Sequence, residues 1–225
     1  MGQRGYGYRQ ILAKYFPGAS VGPQITQMSG QRSAHFTISS AERVDPRLLN
    51  LLEASRAALT RRLSLAGVEF QFPNVEIVVN KTTGDFVGRT GMPAWAAAAT
   101  RNHRIELQPL ALLKQRGILE TTLRHELVHV IVDAIGGGQT PRWLAEGIAI
   151  YVAGEGQLIE RYNQAPALSP NELERRLATA KSADELKTAY AAAYKAVRDL
   201  VRTEGEIKLW KRVAQRSYDV SATGR

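Results

Sequence analysis

Two of the four histidines in this 225-residue chain stand four positions apart, at His125 and His129 in the stretch HELVH. On a helix, residues at i and i+4 share one face, with Cβ atoms about 6 Å apart. Two imidazoles so placed can reach a single zinc ion at about 2.0–2.1 Å. Glu126 follows the first histidine and projects beside the metal without ligating it, where a general base must stand to take a proton from an activated water. A third donor comes from PRWLAEGIAIYV, in which Glu146 has Trp143, Ala149 and Ile150 as its neighbours at i−3, i+3 and i+4. A carboxylate on so apolar a face is costly to bury alone. Two roles compete for it. It completes a His125, His129, Glu146 set that leaves zinc a fourth position for water, or it forms an ion pair with an arginine such as Arg142. Asp133, four residues after His129, is placed either to accept the other ring N–H of a ligand or simply near a helix end.

The elements around these residues follow from punctuation and periodicity. SAHFTISS alternates as a strand does, and VEIVVN (75–80) is a β-branched strand. Between them, Asp45-Pro46 opens a helix with Asp45 as N-cap and Pro46 at the first helical position, carrying an apolar stripe of Leu48, Leu49, Leu52, Leu59 and Leu63. GRTGMPAWAAAAT is turn-rich, and HRIELQ (103–108) is a further strand. From Ile118 the pattern is helical almost to the end. Gly136-Gly137-Gly138 stops the first of these helices. Thr140-Pro141 caps the next, Pro170 begins a third, and residues 182–202 make a long alanine-rich one. Strands first and helices later predict an α+β fold.

Composition narrows the function classes. There is no cysteine, which removes disulfides and thiolate ligands. The net charge is +9 and the pI about 10.0, a charge that anionic polymers attract. The basic residues are dispersed, and no nucleic-acid motif accompanies them, so nucleic acid is not an expected partner. No segment reads as a transmembrane span, and MGQRGYGYRQ has no apolar core behind it to read as a signal peptide.

HELVH followed by WLAEGIA resembles the gluzincin metallopeptidases, whose third zinc ligand is the glutamate of a WLxEG segment, as in aminopeptidase N and the bacterial peptidase-MA-like proteins. The resemblance begins near AHFTISS, includes IELQPL ahead of the zinc helix, and covers most of the chain. The 16 residues between His129 and Glu146 are slightly fewer than in aminopeptidase N, which points to the compact bacterial group. The resemblance implies a thermolysin-like domain over residues 25–225. In it a small N-terminal β-containing lobe precedes a mostly helical C-terminal lobe, and one zinc lies between them. AYAAAYKAVRDLV is similar to that group's YAxxY segments, which implies Tyr190 as the phenol that binds the developing oxyanion, with Tyr194 in reserve. The acidic, amine-reading motif of true aminopeptidases is absent.

A second resemblance lies at the start. GQRG and YRQILAKYFPGASV (8–21) look like the closing segment of the SpoIID/amidase-enhancer domain, so residues 1–24 read as its remnant or as an arm packed on the peptidase body. If the chain is a piece of a longer fusion, this implies a bacterial extracytoplasmic, cell-envelope protein. Its partners are then a peptide or protein substrate and peptidoglycan or another anionic envelope polymer.

The leading expectation is a zinc metallopeptidase with Glu126 as general base and Tyr190 as oxyanion donor. GMPAWAAAA would pass over the cleft as a substrate-binding edge. The alternative is a non-catalytic envelope module in which zinc is structural, a role that normally takes four protein ligands.

Overall fold

The computed structural model describes residues 29–162 and 168–216; the segment 1–24 lies outside them. Five strands, β1 (Ser29–Arg32), β2 (Phe36–Ser40), β3 (Val75–Val79), β4 (Ala98–Arg101) and β5 (Arg104–Leu107), form one mixed sheet in the order β1-β2-β3-β5-β4. The hairpins β1–β2 and β4–β5 are antiparallel, and the central pairs β2–β3 and β3–β5 are parallel. A parallel pair needs a crossover, and α1 (Arg47–Leu65) supplies it between β2 and β3. Its buried leucines, Leu48, Leu52, Leu59 and Leu63, are those of the expected stripe, with Leu49 partly buried beside them.

Two short helices, α2 (Thr83–Thr90) and α3 (Leu110–Gln115), flank the β4–β5 hairpin. Then come α4 (Leu119–Gly136), α5 (Arg142–Ala153), α6 (Gly156–Glu160), α7 (Pro170–Thr179), α8 (Ala183–Glu204) and α9 (Glu206–Gln215). The fold is α+β. One cluster of buried side chains runs from Phe36 and Ile77 in the sheet, through Leu123 and Leu127 in α4 and Ile148 in α5, to Trp210 in α9. The strand-bearing and helical regions therefore share one core.

Two helix starts differ from expectation by one residue. At α1 the cap position falls on Pro46, although the Asp45 carboxylate still accepts the Arg47 N–H at 3.0 Å. At α5 the cap position is Pro141 and carries no side-chain cap. Instead Glu174, from α7, reaches across to accept the Trp143 N–H at 2.7 Å. Gly137 ends α4 in the left-handed region (φ 61°) as the glycine run implies, and Ser169 and Ser182 cap α7 and α8. Segment 88–100 differs most. It was expected to be turn, yet its end is a strand, because Asn102 (φ 54°) turns the chain and Ala98–Arg101 then pairs with β5.

α5 is the central helix. Every residue from Trp143 to Ile150 is buried, so the helix is packed on all sides, chiefly by α4 and α8. The close contact with α8 depends on Gly147. A Cβ there would stand 2.6 Å from the Ala193 carbonyl oxygen and 2.5 Å from Val197 Cγ2. Adding a methyl is the kind of overpacking that costs about 1–3 kcal/mol. The bare backbone after Glu146 thus lets α8 lie close enough to bring Tyr190 over that carboxylate.

Candidate metal centre

α4 and α5 are consecutive helices joined by a tight turn, and their facing sides bring three donors to one point. His125 Nε2 and His129 Nε2 lie 3.1 Å apart. Glu146 Oε2 lies 3.5 Å from the first and 3.4 Å from the second. A tetrahedral ion holding nitrogen and oxygen at about 2.0–2.2 Å spaces its ligand atoms about 3.3–3.6 Å apart, close to this triangle. Protons satisfy the arrangement less well. Two protonated rings could each donate to Glu146, but would set two N–H groups against each other at 3.1 Å. The residues fit a metal ion, and Glu146, only 8% exposed, is the most buried of the three.

The electrostatics reflect this convergence. Burial opposes charge on His125, but hydrogen bonding of its ring N–H groups to the Glu146 and Glu155 carboxylates outweighs it and holds the imidazole well above the usual histidine range. Burial also opposes charge on Glu146, yet His129 and His125 hold its carboxyl well below the usual range. A metal ion held there would compete with protonation of His125.

Glu146 divides its two oxygens. Oε2 faces the histidines, while Oε1 takes the Tyr190 hydroxyl at 3.4 Å and lies 3.5 Å from Arg142 Nε. A place in the donor triangle and a contact with Arg142 are therefore compatible, each using its own oxygen. Burial and the Glu146 charge hold the Tyr190 phenol well above its usual range, with Arg142 offsetting only part of the effect, so Tyr190 is a neutral donor. Tyr194, one turn further on, is elsewhere: its hydroxyl lies against Gly156, where a Cβ would stand 2.2 Å away.

Glu126 shares α4 with the histidines and acts electrostatically on both His125 and Tyr190. Its Oε2 accepts the Thr100 hydroxyl at 2.6 Å. Thr100 follows the alanine-rich stretch on β4, one of the two edge strands, which packs against α4.

Of the two readings of Asp133, the place near a helix end is the one the structure supports. It is exposed, and among the described residues no side-chain hydrogen bond joins its carboxylate to the His129 ring. The supporting carboxylate is Glu155, whose Oε2 meets His125 Nδ1 at 2.9 Å. This fixes the ring with Nε2 toward the other donors. The sequence signal for Glu155 was faint, an acidic residue directly after a helix-stopping glycine. Gly154 turns left-handed (φ 79°) and the Glu155 N–H bonds back to Ile150 O at 3.1 Å, which returns the chain over His125. Replacing Glu155 with Ala should weaken metal binding about 10–100-fold, the usual worth of such support. Chelator competition measures it; unchanged affinity would mean that packing within α4 alone orients His125.

No protein-family model matches the chain, and no curated protein matches it.

Proposed function

We propose that the chain is a zinc metallopeptidase of the gluzincin type, hydrolysing peptide bonds, with His125, His129 and Glu146 as the zinc ligands. The observation that carries this reading is the ligand triangle with a carboxylate, Glu126, beside it and outside it. When bound, zinc supplies Lewis-acid chemistry, acidifying water and polarising a carbonyl. Glu126 accepts the water's proton and returns it to the leaving amine. Thr100 holds one oxygen of that carboxylate in place. Tyr190 donates its phenol proton to the developing oxyanion, a hydrogen bond that gains strength in the transition state. The outer edge of β4 has no strand partner among the described residues, so it offers backbone groups to an extended peptide.

A structural zinc site takes four protein ligands, whereas the described group has three; this favours catalysis over a non-catalytic envelope module. The envelope setting itself rests on residues 1–24 alone. The deciding experiment is a zinc-loaded Glu126→Gln protein, which should keep its ion and lose cleavage of unfolded polypeptide.

The tyrosines give a separate check. Tyr190→Phe removes only the hydroxyl, so zinc and fold should be retained while turnover falls about 10²-fold, the size seen for one oxyanion donor. Tyr194→Phe, altering a group packed on Gly156, should change turnover far less. The opposite ranking in measured turnover would transfer the role to Tyr194; equal, small losses would mean that neither phenol serves the oxyanion.

A further inference from the structure

Arg142 is not accounted for by holding a metal. Its guanidinium lies beside a ligand, 3.5 Å from Glu146 Oε1, where a fixed positive charge opposes the binding of a dication. Nor is it consumed by structure. One donor, on Nη1, is spent on the Leu177 carbonyl at 3.0 Å, and the contact with Glu146 is long. A guanidinium carries five N–H donors; with the Tyr190 hydroxyl as a third partner, two remain, on a side chain that is 45% exposed. The bond to Leu177 O anchors the group at the C-terminal end of α7, and the Tyr190 hydroxyl lies beside it. Two donors, one of them charged, thus stand side by side at the edge of the ligand set.

The surrounding charge gives this arrangement a purpose. With a dication bound, the carboxylates of Glu126, Glu146 and Glu155 still outweigh its charge, a field that repels an incoming anion. Arg142 offsets that excess on one side of the site. A planar guanidinium fork is also the group that matches a carboxylate through two parallel hydrogen bonds.

We propose that Arg142 is a specificity residue that selects substrates carrying a carboxylate next to the scissile bond, either the chain terminus or an acidic side chain. The proposal rests on the peptidase reading of the same site.

The test is equilibrium binding to the zinc-loaded Glu126→Gln protein, which leaves the peptides intact. Two probe pairs separate the sources of the carboxylate. Acetyl-trialanine is compared as free acid and as amide, and acetyl-Ala-Asp-Ala-amide is compared with its Asn counterpart. In one pair the acid should bind about tenfold more tightly, the scale of a charge-assisted hydrogen bond. The pair that discriminates names the source. In an added Arg142→Met background the preference should vanish while amide binding persists; Arg142→Lys should keep part of it, having charge without the fork. Equal affinity within both pairs overturns the proposal, and needs no Arg142 variant to be read. So does a preference that survives Arg142→Met. Peptide hydrolysis by the Glu126 protein with no acid preference refutes the role of Arg142 and leaves the peptidase reading standing. Acid preference without any hydrolysis does the reverse.

Discussion

Glu126→Gln is expected to hold zinc as the parent does and to cleave peptide about 10²–10⁴-fold more slowly, the usual worth of a general base. The substitution preserves shape. Its amide oxygen can still accept the Thr100 hydroxyl, which now bonds Glu126 Oε2 at 2.6 Å, so β4 and α4 keep their contact. What disappears is a group able to take a proton from water and return it to the leaving nitrogen. Because Glu126 stands outside the ligand triangle, zinc content should not change. The loss should fall on turnover more than on substrate affinity, since the proton moves only in the transition state. Turnover near the parent level on any cleaved substrate would sink the mechanism.

The second large effect is expected from Glu146→Ala. It removes the only carboxylate of the ligand triangle, so zinc affinity should fall well beyond the roughly 10–100-fold lost with a supporting residue. Full occupancy in this variant would remove Glu146 from the site and leave it as the partner of Arg142 and Tyr190 alone. The pH dependence gives a further handle. In the metal-free protein His125 is raised and Glu146 depressed, so both are charged in the window between those two values. Glu146 contributes stability above its unfolded pKa, and loses it as pH falls through the depressed folded value. His125 contributes below its unfolded pKa, and loses it as pH rises through the raised folded value. The metal-free variant should therefore be least stable relative to the parent inside that window. In the parent, zinc affinity should climb with pH across the His125 titration, because the ion displaces that proton; calorimetry at several pH values reads this directly.

What was legible in the chain was local and periodic. His125, Glu126 and His129 follow from helical spacing, and Glu146 from a charge on an apolar face, because both signals lie within one or two turns. Thr100 was not legible: alanines 96–99 have low strand propensity, and only pairing with β5 makes that segment extended. Glu155 was hidden because the turn after Gly154, and not helical spacing, carries it back over His125. For Asp133 spacing left two readings open, one turn from His129 or simply near the helix end, and the face of α4 that carries it is exposed, although Val130 to Val132 beside it are buried. Helix starts slipped at Asp45 and Thr140 because proline made each junction ambiguous, and at α5 the cap came from Glu174, 31 positions away.

The three ligand donors also have a bearing on how the chain folds. They span only residues 125 to 146, on two consecutive helices, whereas β2 pairs with β3 across the whole of α1, Phe36 opposite Val75, and Tyr190 arrives from α8. Contacts between near neighbours along the chain form fast, and those that close long loops form slowly. The helical hairpin that gathers His125, His129 and Glu146 has low contact order and is favoured to assemble ahead of the sheet. On the proposed reading, an ion would find its three ligands gathered before Tyr190 arrives from α8, so that capture of the ion and completion of the site around it would be separate kinetic events.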